Sequence, residues 1–255
     1  MGKRKSIKMN KINYNIQILF LLSACFWGGC EQSDYNCLKS NGKTITQERI
    51  LEDFDSIDVR DYVNLIITQD SVNRVTVETG QNIMDGIITE VKDRQLLIRN
   101  NNKCNWLRSY DIPVNVHISV RNLRKIYYLS SGNISTTNTI KSAYLTIEVW
   151  GGCGTIDMDL DVFQGYFVIQ MGTVDFKLHG RCAINTLYSG DYGPFNCKDL
   201  LTGYSYVTNA SSNDCHVNVS QYLEAKIGSI GNIYYTGEPD SIDVYINGEG
   251  SVIRF

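Results

Sequence analysis

Only 3 of the 255 residues are proline, and none of the apolar runs recurs with a helical 3.6-residue period. The first shortage suits central strands, which must donate every N–H to a ladder. The second argues against an extensive helical core. Charge of one sign is also missing, with 24 Lys+Arg against 27 Asp+Glu. A nucleic-acid partner is therefore not expected, because that class of binding needs a basic face. Histidine is limited to His117, His179 and His216. They are dispersed and belong to no H-E-x-x-H or nucleophile motif. No C-x-x-C is present, which weakens a zinc reading of the 8 cysteines.

What the chain has in quantity is Tyr, Ile, Val, Thr and Asn, residues suited to strands and the turns between them. Small polar bends, most of them holding a glycine, recur: "SSGNIST", "GGCGTIDMDL", "MGTVDFKL", "SGDYGPFNCK", "ASSNDCHVNV", "SIGNIYYTG" and "GEGSVIRF". The first apolar residues after them are Ile134, Ile156, Val174, Phe195, Cys215, Ile233 and Val252, about twenty residues apart. A second alternating segment precedes each bend, as in "AYLTIEVW", "GYFVIQM" and "TGYSYVT". One unit is thus strand, bend, strand, turn. A single unit cannot bury its own apolar face, but stacked units form a continuous core. The expected fold is all-β, a right-handed parallel β-helix or close β-solenoid relative with coils of about twenty residues. The first half is less regular but still β, with one short helical turn expected in "QNIMDGI" at 81–87. A β-sandwich is the alternative, but its hairpins would need tight turns at regular intervals.

The N-terminus reads as a targeting segment. A basic "MGKRKSIKMNK" precedes the apolar "IQILFLLSA", far shorter than the ~20 residues of a membrane span. The run ends in "LLSAC", which resembles the lipobox of bacterial lipoproteins: Leu22, small Ser23 and Ala24, then Cys25. Residues 1–24 are read as signal peptide, 25–44 as tether and 45–255 as the β domain. Cys25 is the expected lipidation site and Cys30, ahead of "EQSD", the alternative. Multiple acyl chains would anchor the chain stably to the envelope membrane, with outer membrane or cell surface the expected location. In an exported chain the remaining cysteines favour disulfides, and Cys37 with Cys104 is the expected pair. Cys197 and Cys215 face inward from adjacent coils, as a bridge or as stacked thiols.

The segments "ERILEDFDSIDVRDYVNLIITQD", "VTVETGQNIMDGIITEVKDRQLLIRN", "PVNVHISVRNLRKIYYLSSGNI" and "GNIYYTGEP" resemble the GIN-domain family of auto-transporter adhesin heads, common in exported Bacteroidetes proteins. The resemblance runs from Arg49 to Phe255. It departs from the family at Arg60-Asp61 and at Asp70, where the family's pattern carries glycine. It implies a β-helical fold and an exported location, and supplies no catalytic residues or cofactor. The expected role is a non-catalytic, adhesin-like module for a glycan or protein ligand. A structural spacer is the alternative, and a carbohydrate-active enzyme on the solenoid face a more distant one.

Two surfaces could carry binding. Outward tyrosines, above all Tyr204, Tyr206, Tyr234 and Tyr235, suit a contact face for glycan or protein, although tyrosine also favours strands for its own sake. In "TIDMDLD", Asp157, Asp159 and Asp161 face outward on alternate positions. If Asp175, Lys177 and His179 stack on them, Asp157, Asp159 and Asp175 form a weak candidate calcium site. The competing view is a solvated face of Asp159–Lys177 and Asp161–His179 pairs, each contributing little. An exposed ladder at the last coil could pair weakly with a second copy of the chain.

Overall fold

The structure is a computed structural model that describes residues 40–103 and 112–255. Among the described residues sixteen strands form one sheet, most of it a β-solenoid of about six turns with coils of roughly twenty residues. The one helical feature among the described residues is a 3₁₀ turn at Met84–Gly86, inside the segment expected to turn. None of the described helices is long and apolar enough to cross a membrane.

The C-terminal coils are regular. Strands β10 (Ile140–Ile169), β11 (Thr173–Ser189), β12 (Phe195–Asn209) and β13 (Cys215–Ile227) stack in parallel register. The shorter β14 (Ile233–Thr236), β15 (Ser241–Ile246) and β16 (Val252–Arg254) form the last coil. Each coil runs along a first face, turns a corner, returns along a second face, and bends back. On the first face the inward ladder is Ile134, Ile156, Phe176, Phe195, Cys215, Ile233 and Val252. Six of the seven positions expected from the sequence are in it. The exception is Val174, which pairs with Gly154, two residues ahead of the ladder position held by Phe176. Val174 is buried too, so strand alternation alone could not tell the two apart. On the second face the ladder is Phe167, Leu187, Val207, Ala225 and Val244.

The Gly-Asn-Ile triplets have a physical reading. Asn133 Oδ1 accepts the N–H of Thr155 at 2.9 Å, and Asn232 Oδ1 accepts that of Ser251 at 2.9 Å. The asparagine thus clamps each bend to the next coil, and the following Ile134 or Ile233 enters the core. The glycine is needed because a Cβ on Gly132 would run into the Val63 carbonyl. Asp61 adopts a left-handed φ of 64°. Its carboxylate accepts the N–H of Asn100 at 3.1 Å, which helps hold that conformation.

The first half owes its irregularity to a cap. Strands β2 (Ser56–Asp61) and β3 (Asn64–Gln69) form a coil that pairs on both sides. One neighbour comprises β6 (Gln95–Asn100) and β7 (Asn115–Val120), the other β8 (Lys125–Ser130) and β9 (Ile134–Thr136). Beyond β7, strands β4 (Arg74–Gly80) and β1 (Thr44–Arg49) are antiparallel, and so is β5 (Ile87–Lys92) against β6. Reversed strands break the twenty-residue phase and close this end of the ladders. The Arg49 guanidinium ties the cap together by donating to the carbonyls of Met84 and Ile87, at 3.4 and 3.3 Å.

Candidate functional site: a groove along the solenoid corner

At the corner between the two faces, the in-out alternation breaks in every regular coil. In four of them two successive residues escape burial before an inward one, Ala143-Tyr144, Phe163-Gln164, Ala183-Ile184 and Gly203-Tyr204, and in β13 three do, Ser220, Gln221 and Tyr222. This break turns the chain, and it aligns like positions along the axis. Gly180, just before the corner, has φ +93° and its Cβ position is blocked by the Leu160 carbonyl, so the approach to the turn there requires glycine.

The first corner position is small in three coils, at Ala143, Ala183 and Gly203, and large only at Phe163. A trough results, with a cavity volume of about 990 Å³, bounded by Arg181 and Leu201 on one side and Ile184 and Tyr204 on the other. Its lining includes Asn122 at one end and, from Lys141 to Gln221, spans five coils. With coils ~4.8 Å apart, that is ~19 Å of length. Phe163, Leu201 and Tyr204 are 57%, 54% and 43% exposed, high values for large apolar or aromatic side chains. Cys182 lies against the trough but is buried. Its thiol donates to the Ile184 carbonyl at 3.1 Å, and burial pushes its pKa up to about 12.

The four expected tyrosines do not share one face. Tyr204 lines the trough. Tyr206 lies on the second face, edge-on to Tyr222 with ring centres 5.8 Å apart. Tyr234 lies on the first face, stacked on His216 at 4.9 Å with Phe255 edge-on. Tyr235 packs against the core. The strand alternation that turns Tyr234 outward turns Tyr235 inward. A smaller cavity of about 480 Å³ adjoins the His216 cluster, lined by Asp175, Lys177, Lys198, Asp214 and Phe255 among others.

The aspartate face differs in register from the expectation. Asp157 faces Lys177, Asp159 faces His179 and Asp161 faces Arg181, while Asp175 sits beside Thr155. The expected Asp159–Lys177 and Asp161–His179 pairs are therefore one alternate position out. His179 Nε2 lies 3.1 Å from Asp157 Oδ1, and Thr139 donates to Asp159 at 2.8 Å. Asp157, Asp159 and Asp175 do not converge, and no group of three or more His, Cys, Asp or Glu among the described residues could hold a metal ion. His117 is exposed, 3.6 Å from Glu78. Cys197 and Cys215 are free and buried; Cys215 pairs in register with Phe195, not with Cys197. Cys25, Cys30, Cys37 and Cys104 lie outside the described residues.

The tyrosine pattern alone does not reveal the trough. A signal was present: Ala143, Phe163, Ala183 and Gly203 recur at intervals of twenty, and in "LL" at 200–201 one leucine must face outward.

Comparison with known proteins bears on the whole domain. Crystal structures with the same fold include a "putative adhesin" from Bacteroides fragilis, at TM-score 0.77 and 22% identity, covering 84% of this chain and 97% of that one. A second "putative adhesin", from Parabacteroides distasonis, has TM-score 0.65 and 18% identity, with 84% and 98% covered. A "putative lipid binding protein" from the same species has TM-score 0.62 and 18% identity, with 85% and 98% covered. No curated protein matches the chain. The profile of the family described as "putative auto-transporter adhesin, head GIN domain" matches residues 53–239, and the chain belongs to that family.

Proposed function

We propose that this protein is an exported, lipid-anchored envelope protein whose solenoid serves as an adhesin-like, non-catalytic module for a surface glycan. The observation that carries this reading is the corner trough with its outward Phe163, Leu201 and Tyr204. Aromatic faces accept the C–H side of a sugar ring, and the polar lining residues Asn122, Ser142, Ser220 and Gln221 suit its hydroxyls. The family's adhesin description supports an envelope role, and the lipobox-like "LLSAC" supports the anchor at Cys25.

Two rivals are weaker on the same geometry. Glycoside hydrolysis commonly uses two carboxylates flanking the scissile bond. The trough lining supplies one, Asp161. An acyl chain, which the name of one structural neighbour brings to mind, gains most where it is enclosed. In a trough open along its length, one side of the chain would stay in water. A sugar chain tolerates that, since its hydroxyls favour water.

The test is binding of the purified full chain to an array of bacterial and host glycans, with and without calcium. A saturable hit that weakens in Tyr204→Ala is the expected result. No hit in either buffer would remove the glycan reading and leave a spacer role or a protein partner.

A further inference from the structure

We propose that the trough selects a linear acidic glycan in which uronate residues alternate with neutral sugars. The proposal rests on the glycan-binding reading above and concerns which glycan. Its basis is the order of charge along one wall. Asp161 and Arg181 are neighbours in register. The Gln170 N–H donates to the Val149 carbonyl, the bond of a twenty-residue step between these two coils, and that step sets Lys141 at the level of Asp161. The wall therefore reads Lys141, Asp161, Arg181 and then uncharged Leu201 in successive coils, all four exposed and all lining the trough. None of the three charged groups makes an ion pair within 4 Å among the described residues.

The two cations stand two coil steps apart, ~9.6 Å, with a carboxylate between them. That spacing is close to the length of one disaccharide in an extended chain. A uronate on every second ring would meet Lys141 and then Arg181, whose planar fork can hold a carboxylate bidentately. The ring between them faces Asp161. A uronate there would be repelled, whereas hydroxyl or N-acetyl groups can donate hydrogen bonds to it.

The aromatic groups repeat the same period. Gln164, Ile184 and Tyr204 are in register, so Phe163, beside Gln164, is also two coil steps from Tyr204. Two aromatic platforms at disaccharide spacing fit rings that present like faces at every second position. Cations and aromatics thus agree on a two-ring period. The volume of about 990 Å³ suits a short oligosaccharide lying along the axis.

The test is calorimetric titration of the purified full chain with three probes of equal length. Hyaluronan oligosaccharides alternate uronate with a neutral sugar, oligogalacturonides carry uronate on every ring, and cello-oligosaccharides carry none. Hyaluronan should bind at least about tenfold tighter than either comparison and should weaken as salt is raised. Arg181→Gln should lose about tenfold for hyaluronan, the scale of a charge-assisted hydrogen bond. Asp161→Asn should raise affinity for oligogalacturonide several-fold, a gain that damage to the fold would not produce. Equal or tighter binding of oligogalacturonide by the unaltered chain would overturn the alternation, and equal binding of cello-oligosaccharide would overturn the acidic class. Binding of none of the three, with other hits on the array, would overturn this proposal and keep the glycan reading. An array without hits would overturn both.

Discussion

Phe176→Ala tests the ladder register in the middle of the solenoid. Phe176 is fully buried between Ile156 and Phe195 in register. Its ring centre is 4.7 Å from that of Phe195 and 6.5 Å from that of Phe167. Truncating a buried phenylalanine costs about 3–5 kcal/mol, and lost aromatic pairing overlaps with the upper part of that range. A value of about 4 kcal/mol is expected. For a domain of this size, it corresponds to a melting shift of roughly 8–16 °C. Val244→Ala supplies the internal control, because Val244 occupies a ladder position in the last coil but remains 45% exposed. Its cost should stay below about 1 kcal/mol. Urea unfolding followed by circular dichroism measures both variants, and the slope should be unchanged if only stability has moved. A cost below about 1 kcal/mol for Phe176→Ala, or equal costs for the two variants, would refute the stacked-ladder reasoning.

Three further outcomes follow from the same geometry. Cys182, Cys197 and Cys215 are buried, and burial raises all three thiol pKa values, to about 12 for Cys182 and Cys215. Maleimide at pH 7 should label exposed Cys153 in the folded chain and reach these three only after denaturation, as peptide mass spectrometry would show. Metabolic labelling with a fatty-acid analogue should vanish in Cys25→Ser and persist in Cys30→Ser; the opposite pattern would move the anchor to Cys30. In the last coil Val244, Tyr245 and Ile246 are each about half exposed along β15, an edge strand that among the described residues pairs with β13 alone. Weak self-association through this edge should raise the mass seen by light scattering at high concentration, and a strictly monomeric mass would exclude it.

The parts of the fold that repeat were legible in the sequence. Bend glycines, inward Ile134 and Ile233, and the twenty-residue phase each follow from steric and burial demands that act within one coil. Register between coils was not legible to the same degree. A strand slid by two residues keeps its inward face, so Val174 and Phe176 were interchangeable on pattern alone, and the Asp157 face was displaced by one alternate position. The cap was hidden for another reason. Antiparallel β1, β4 and β5 alternate like any strand, and nothing local states their direction. The trough lies between these cases. Its residues stand at a fixed interval, but Ala183 and Gly203 are informative through the room they leave, which only the stacked coils reveal.

Filling that room is the most direct test of the central claim. Ala183→Tyr places a large side chain on the exposed floor of the trough, away from the core. Tyr234→Ala alters a tyrosine stacked on His216 on the first face. Both variants would be measured beside the unaltered full chain on the same glycan array. Binding lost in Ala183→Tyr and retained in Tyr234→Ala is the predicted result. Binding that survives the filled trough, or disappears with Tyr234, would contradict the corner as the ligand site.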